Sequence, residues 1–151
     1  EAGKPFMMLK FRSMRIDAEA KTGPGWGKGE DPRVTTIGKI LRMLHLDEIP
    51  QCLNFLRGDM SLVGPRPERP FFVDQFKEQI PFYSRRFNVK PGLLGWAQSK
   101  HEFDLNSKDV VAIARERLEY DLYYIENISL KLDFKIMLLT VWFVLAGKST
   151  R

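Results

Sequence analysis

A mixed fold, α/β or α+β with a small sheet and several helices, is what this sequence predicts. Three observations carry that expectation. Apolar residues recur at helical spacing in several windows, and short apolar runs between Gly and Pro turns have the length of strands. A chain of 151 residues with 44% hydrophobic content can bury one core but not two, so the expected organisation is a single domain over residues 1–151.

Residues 6–14 alternate, with Met8, Lys10 and Arg12 on one face and Met7, Leu9 and Phe11 on the other, as on a half-buried strand. Two cations then point the same way. Residues 22–32 hold four glycines and two prolines and predict a loop with Trp26 at its tip; they lack the Gly-Lys-Ser/Thr ending of a phosphate-binding P-loop. A helix is expected after Thr36, because Ile37, Ile40, Leu41 and Leu44 form one apolar stripe. The next should follow at once, with Asp47 as N-cap, Pro50 in the first turn, Leu53 and Leu56 apolar, and Gly58 at C′.

Residues 60–63 predict a short strand running into Gly64-Pro65-Arg66-Pro67, a rigid turn that presents one arginine. Residues 70–79 read as a helix and residues 90–96 as a turn with a short extended piece. From Asn106 onward the pattern is helical again, with Asn106 and Asp109 as capping residues and Val110, Ala114, Leu118, Leu122 and Ile125 as the stripe. Ser129 caps a last helix that ends at Gly147. Tyr120, Tyr123 and Tyr124 read as core and interface packing rather than as a stacking platform.

Charge narrows the partners. Twenty-four Lys and Arg against nineteen Asp and Glu give +5, which favours an anionic ligand, nucleic acid or membrane face. Cys52 is the only cysteine and the two histidines, His45 and His101, are far apart, so neither a disulfide nor a zinc site is expected. Cys52 reads as a packed core thiol and His45 as a surface or cap-proximal residue. Residues 136–146, the most apolar segment, reach about 16 Å as a helix against the roughly 30 Å of a bilayer core, too short to cross it. The opening Glu-Ala-Gly-Lys-Pro, with no initiator Met, reads as a piece of a longer protein.

The pair Asp47-Glu48 carries the chemical interest. At the start of a helix, free N–H groups favour both a carboxylate and a phosphate, so nucleophile and electrophile could meet there. The plainer reading is that Asp47 caps and Glu48 decorates the first turn. Arg42, Arg66, Lys10 and Arg12 supply a cationic cradle suited to a phosphoryl group and Mg²⁺. Adjacent carboxylates fit glycoside hydrolysis poorly, because that chemistry needs them on either side of the substrate.

The stretches KPFMMLKFRSM, DPRVTTIGKILR, LDEIPQCLNFLRGDMSLVGPRPERP, VKPGLLGWAQ and LEYDLYYIENISLKLDFKIMLL, in this order, resemble the motifs of the bacterial sugar transferases, monotopic polyprenyl-phosphate phosphoglycosyl transferases. The resemblance implies transfer of a sugar 1-phosphate from a UDP-sugar to polyprenyl (undecaprenyl) phosphate, the first membrane step of surface glycan synthesis. It implies Asp47 as nucleophile forming an aspartyl-phosphosugar with release of UMP, and Glu48 as the second catalytic carboxylate and Mg²⁺ ligand. It further implies Lys10, Arg12, Arg42 and Arg66 as phosphate-binding residues and Asp121 and Asp133 as additional active-site carboxylates. Nucleic acid is not expected as a partner, and a homo-oligomer is left open.

Two departures stand out. The family's re-entrant membrane helix would precede KPF, where this sequence begins, and Ser99-Lys100-His101 follows WAQ where many relatives have Val-Asn. The implied location is the cytoplasmic face of the bacterial inner membrane. Amphipathic helices are expected to lie on that leaflet through residues near Trp142 and Phe143. The rival reading is a non-catalytic module that binds anionic membrane or nucleic acid.

Overall fold

The computed structural model describes residues 3–20, 25, 31–100 and 109–146. Six helices and two strands follow one another in it: α1 Thr36–Met43, α2 Gln51–Arg57, β1 Ser61–Val63, α3 Pro70–Gln79, β2 Gly92–Leu94, α4 Trp96–Lys100, α5 Val110–Glu126 and α6 Leu130–Leu145, with 3-10 turns at Leu46–Glu48 and Tyr83–Asn88. The mixed fold with a small sheet is therefore present.

The sheet is minimal. β1 and β2 pair in parallel with Ser61 opposite Gly92 and Val63 opposite Leu94. Past the end of β1 the chain stays stitched to β2, since Gly64 N donates to Leu94 O at 2.9 Å and Gly92 N to Pro65 O at 2.9 Å. A Cβ on Gly92 would sit 2.1 Å from Gly64 N, so the two backbones approach this closely only because both residues are glycine. This fixes where the turn carrying Arg66 begins.

Two apolar clusters hold the elements together. Phe72, Phe76, Ile80 and Tyr83 pack on Ala114 and Leu118, joining α3 and the 3-10 turn after it to α5. Val63, Trp96, Tyr124 and Ile136 join β1 and α4 to α5 and α6. Ser129 caps α6 as the sequence predicts, accepting from the N–H three residues on, whereas α5 starts at Val110 with Asp109 itself as the N-cap rather than as the second member of a capping box with Asn106. α3 and β1 also fall where expected, and Gly58 ends α2 with φ 81°.

Several expectations are corrected. Residues 6–14 form no strand among the described residues beyond an isolated bridge, Met14 to Val34. Their backbone is satisfied by a side chain instead: Leu9 N donates to Asn54 Oδ1 at 2.9 Å, and Asn54 Nδ2 donates to Met7 O at 2.8 Å. Phe11 N donates to Asp47 O at 2.9 Å, so an extended segment rides on α2 rather than joining the sheet. Asp47 is not the N-cap of α2. It lies in the preceding 3-10 turn, and α2 starts only after Pro50, whose fixed φ suits that position.

The α1 stripe does not face the core: Ile37, Ile40 and Leu44 are exposed, while Gly38 is the buried residue, at a place where a Cβ would stand 2.0 Å from Ser13 O. Leu53 and Leu56 of α2 and Tyr123 of α5 are exposed too, and so is Cys52, which is not a core thiol. The turn at Tyr83–Asn88 and helix α4 lacked a sequence signal. Trp26, His101, Asn106 and Gly147 lie outside the described residues.

Candidate active site

His45 closes α1 in the left-handed conformation, φ 55°, and turns the chain so that the two residues after Leu46 point inward. Asp47 is 3% exposed and Glu48 9%. Two cations from distant segments converge on Glu48. Lys10 Nζ donates to its Oε1 at 3.0 Å, Arg66 Nη2 makes a short contact to the same oxygen, and Arg66 Nη1 reaches Oε2 at 3.4 Å. Burial alone would raise the proton affinity of Glu48, but Arg66 and Lys10 outweigh it and hold the carboxyl far below the usual range. Arg66 in turn stays charged despite burial because Glu48, with Glu68 and Asp47 beyond it, opposes the loss of its proton.

Behind the Arg66 turn lies a buried polar layer. Arg86 Nη2 donates both to Arg66 O at 2.7 Å and to Asp121 Oδ2 at 2.8 Å, and Arg86 Nη1 donates to Tyr83 Oη at 2.6 Å. Burial pushes the Asp121 carboxyl up to about 6, with Arg86 and, less strongly, Arg117 opposing the rise and Glu68 adding to it. Burial likewise pushes the Tyr83 phenol up to about 12. Arg117 and Glu68 complete the layer as an ion pair at 3.5 Å. Asp121 thus reaches the site through Arg86 and the backbone of Arg66.

Asp133 is linked in the same indirect way. It accepts from Tyr124 Oη at 3.0 Å, and that hydroxyl also lies 3.3 Å from Val63 O, at the end of β1. Arg42 Nε donates to Ser13 Oγ at 2.8 Å and so steadies the segment that carries Lys10 and Arg12. Arg12 is exposed and, among the described residues, joins none of the site's ion pairs. Of the eight residues expected at the site, the structure brings Asp47, Glu48, Lys10 and Arg66 together; Arg42, Asp121 and Asp133 brace their surroundings, and Arg12 stands at the edge. Sequence reasoning missed Arg86, Tyr83, Glu68 and Arg117, because one arginine beside another, before a Lys-Pro-Gly turn, gives no hint that it is buried.

Beside Glu48 opens a cavity of about 250 Å³, walled by Ile49, Cys52, Leu93, Leu94 and Val144. Among the described residues no three His, Cys, Asp or Glu side chains cluster as a ready metal site.

The family profile described as bacterial sugar transferase matches residues 1–147. The UDP-N-acetylgalactosamine-undecaprenyl-phosphate N-acetylgalactosaminephosphotransferase of Aeromonas hydrophila is 44% identical over all of this chain and 34% of its own length. Two UDP-glucose:undecaprenyl-phosphate glucose-1-phosphate transferases are similar as well. That of Caulobacter vibrioides is 42% identical over 92% of this chain and 51% of its own length, and that of Escherichia coli is 41% identical over 93% and 30%. The chain thus spans from about a third to about half of these relatives.

Proposed function

The chain belongs to the bacterial sugar transferase family, and on that premise we propose that it is the catalytic part of an enzyme transferring a sugar 1-phosphate from a UDP-sugar to undecaprenyl phosphate. The observation that carries the reading is the buried Asp47 beside a Glu48 whose charge is held by Lys10 and Arg66. Such a group can receive a diphosphate at little reorganisation cost, since its cations are already in place.

In the first step an Asp47 carboxylate oxygen attacks the β-phosphorus of the donor. The bond from that phosphorus to the oxygen bridging to UMP breaks, UMP leaves, and an aspartyl-phosphosugar remains. In the second, an oxygen of the acceptor phosphate attacks the same phosphorus and the Asp47 carboxylate is released unchanged. Lys10 and Arg66, already beside the reacting group, donate to the phosphate oxygens as charge develops, and Arg66 offers two parallel N–H groups for them. Glu48, with Asp47 next to it, would hold Mg²⁺. One or two hard carboxylates with substrate phosphates and water are what that ion prefers, and when bound it neutralises diphosphate charge.

The product would start a surface glycan at the cytoplasmic face of the inner membrane. The relatives are named for two different sugars at nearly equal identity, 44% against 42% and 41%, so overall identity does not select the donor. Asp47→Asn keeps size and removes the attacking charge. UMP release should fall about a thousandfold in a folded protein, and no sugar phosphate should remain on the acid-quenched chain. UMP release near the parent rate would overturn the covalent reading.

Contact with the leaflet is part of the same proposal. α6 buries Ile136 completely and leaves Leu130, Phe134, Leu138, Val141 and Trp142 exposed, so the helix has two apolar faces and the core covers one. No helix among the described residues is long and apolar enough to cross a membrane. The second face therefore suits an interfacial position, with Trp142 at the headgroup boundary. Leu138→Glu with Trp142→Glu should lower co-sedimentation with anionic liposomes at least about tenfold without lowering the melting temperature. Unchanged binding would show that this face does not meet lipid.

A further inference from the structure

We propose that the cavity beside Glu48 receives the first isoprene units of the acceptor, holding the hydrocarbon chain where its phosphate meets the reacting group. The inference rests on the transferase reading above and names which substrate occupies this part of the site.

Size and chemistry select the occupant. About 250 Å³ is smaller than the roughly 300–1,000 Å³ of pockets that enclose a whole drug-sized ligand, so the cavity takes a portion of a substrate. Ile49, Cys52, Leu93, Leu94 and Val144 give that portion apolar walls. A uridine or a sugar would bury several hydroxyl and amide groups needing partners, and the lining sets against them only the polar side chains of His45, Glu48, Gln98 and Thr140. Thr140 Oγ1 is committed to Ile136 O at 2.9 Å, and Glu48 to Lys10 and Arg66. Gln98 Oε1 is buried with no hydrogen-bond partner among the described residues, but one amide and one imidazole cannot satisfy a nucleotide.

Position agrees with this. Glu48, where the cations that attract phosphate lie, lines the cavity together with Ile49 and Cys52, which are solvent-exposed. Cys52 of α2 and Thr140 and Val144 of α6 also line it, and the same two helices carry the exposed Leu53 and Leu56 and the exposed Val141 and Trp142. The helices that wall the cavity are thus the ones that present apolar side chains outward. Of the two substrates only the acceptor joins a hydrocarbon to a phosphate.

Cys52 supplies the test. In the full-length protein that carries this chain, in detergent, a polar maleimide should modify Cys52, read on its peptide by mass spectrometry. Farnesyl phosphate should slow that reaction at least about fivefold, whereas inorganic phosphate and UDP-sugars should leave it unchanged. Protection by a UDP-sugar without protection by farnesyl phosphate would give the cavity to the donor and overturn the proposal. A Cys52 that never reacts would overturn it too, since the cavity would then be filled by another part of the protein.

Narrowing the cavity gives a second readout. Val144→Trp, and separately Cys52→Phe, should each raise the acceptor KM about tenfold, with single-turnover UMP release from donor alone as internal reference. Unchanged acceptor KM in both variants would mean the chain runs elsewhere. Absence of UMP release in the parent protein would instead count against the transferase reading itself, and the two failures are thereby told apart.

Discussion

Glu48 and Asp121 are both buried carboxylates held by an arginine, yet their proton affinities move in opposite directions. Both Arg66 and Lys10 hydrogen-bond Glu48 directly, and two cations in contact with one carboxylate overcome its burial. Asp121 is more deeply buried, its Arg86 is divided among Asp121, Tyr83 and the Arg66 carbonyl, Arg117 acts on it only as a more distant charge, and Glu68 adds repulsion. The depth of burial and the number of cations in direct contact, more than the presence of an ion pair, decide which side wins. One group is therefore permanently charged, as the proposed work on phosphates requires. The other is a support poised to change its charge.

Neutralising Glu48 should sharpen the contrast most. Glu48→Gln leaves Lys10 and Arg66 without their anion and removes a hard ligand, so turnover should fall at least about a hundredfold. Because the folded carboxyl is depressed below its ordinary 4.5, the stability it contributes is present above that value and is lost as pH falls through the folded one. The variant should lack this acid-limb loss in melting temperature. A variant turning over near the parent rate would reduce Glu48 to a structural clamp.

Arg86→Met acts on the other group and should be a stability variant first. It strips a buried counter-ion from Asp121 and a donor from Arg66 O, and breaking such pairs costs about 3 to 5 kcal/mol. Asp121 should then stay protonated to well above neutral pH. A stability loss below about 1 kcal/mol would show that the layer is wetter than its burial implies.

The sequence made these two groups unequally legible. Asp47 and Glu48 stood out as a pair, but the capping argument set them at the start of α2, whereas Pro50 delays that helix and leaves them in a 3-10 turn. Local helix physics placed the pair in the wrong element, and the motif resemblance supplied the role proposed for it. The partners of Glu48 come from 38 and 18 residues away, and no periodicity reports such distances. α3 was legible to the residue, because a proline at its first position and an aromatic stripe are both local signals. The α1 stripe was legible as an apolar face but not as an exposed one, since spacing reveals that a face exists and never what covers it.

The smallest and most diagnostic effect is expected from Asp121→Asn. With its folded value near 6, the parent Asp121 takes up a proton as pH falls from 7 toward 5, weakening its hold on Arg86, which itself holds the Arg66 carbonyl. Turnover should decline on that acid side, with an inflection near 6. Stability moves the other way. A folded value above the ordinary 3.8 means the proton binds the native state more tightly, so the contribution of Asp121 is complete below the ordinary value and is lost as pH rises through about 6. Asparagine keeps an oxygen for Arg86 and has no proton to exchange. The variant should therefore lose the inflection in both profiles while its turnover at pH 7 drops only about threefold to tenfold, the cost of loosening a support rather than removing a reacting group. Turnover and melting temperature measured on parent and variant from pH 5 to 8 decide it. If the inflection near 6 persists in Asp121→Asn, the titrating group lies elsewhere, and the layer behind Arg66 is a fixed scaffold with no part in the pH response.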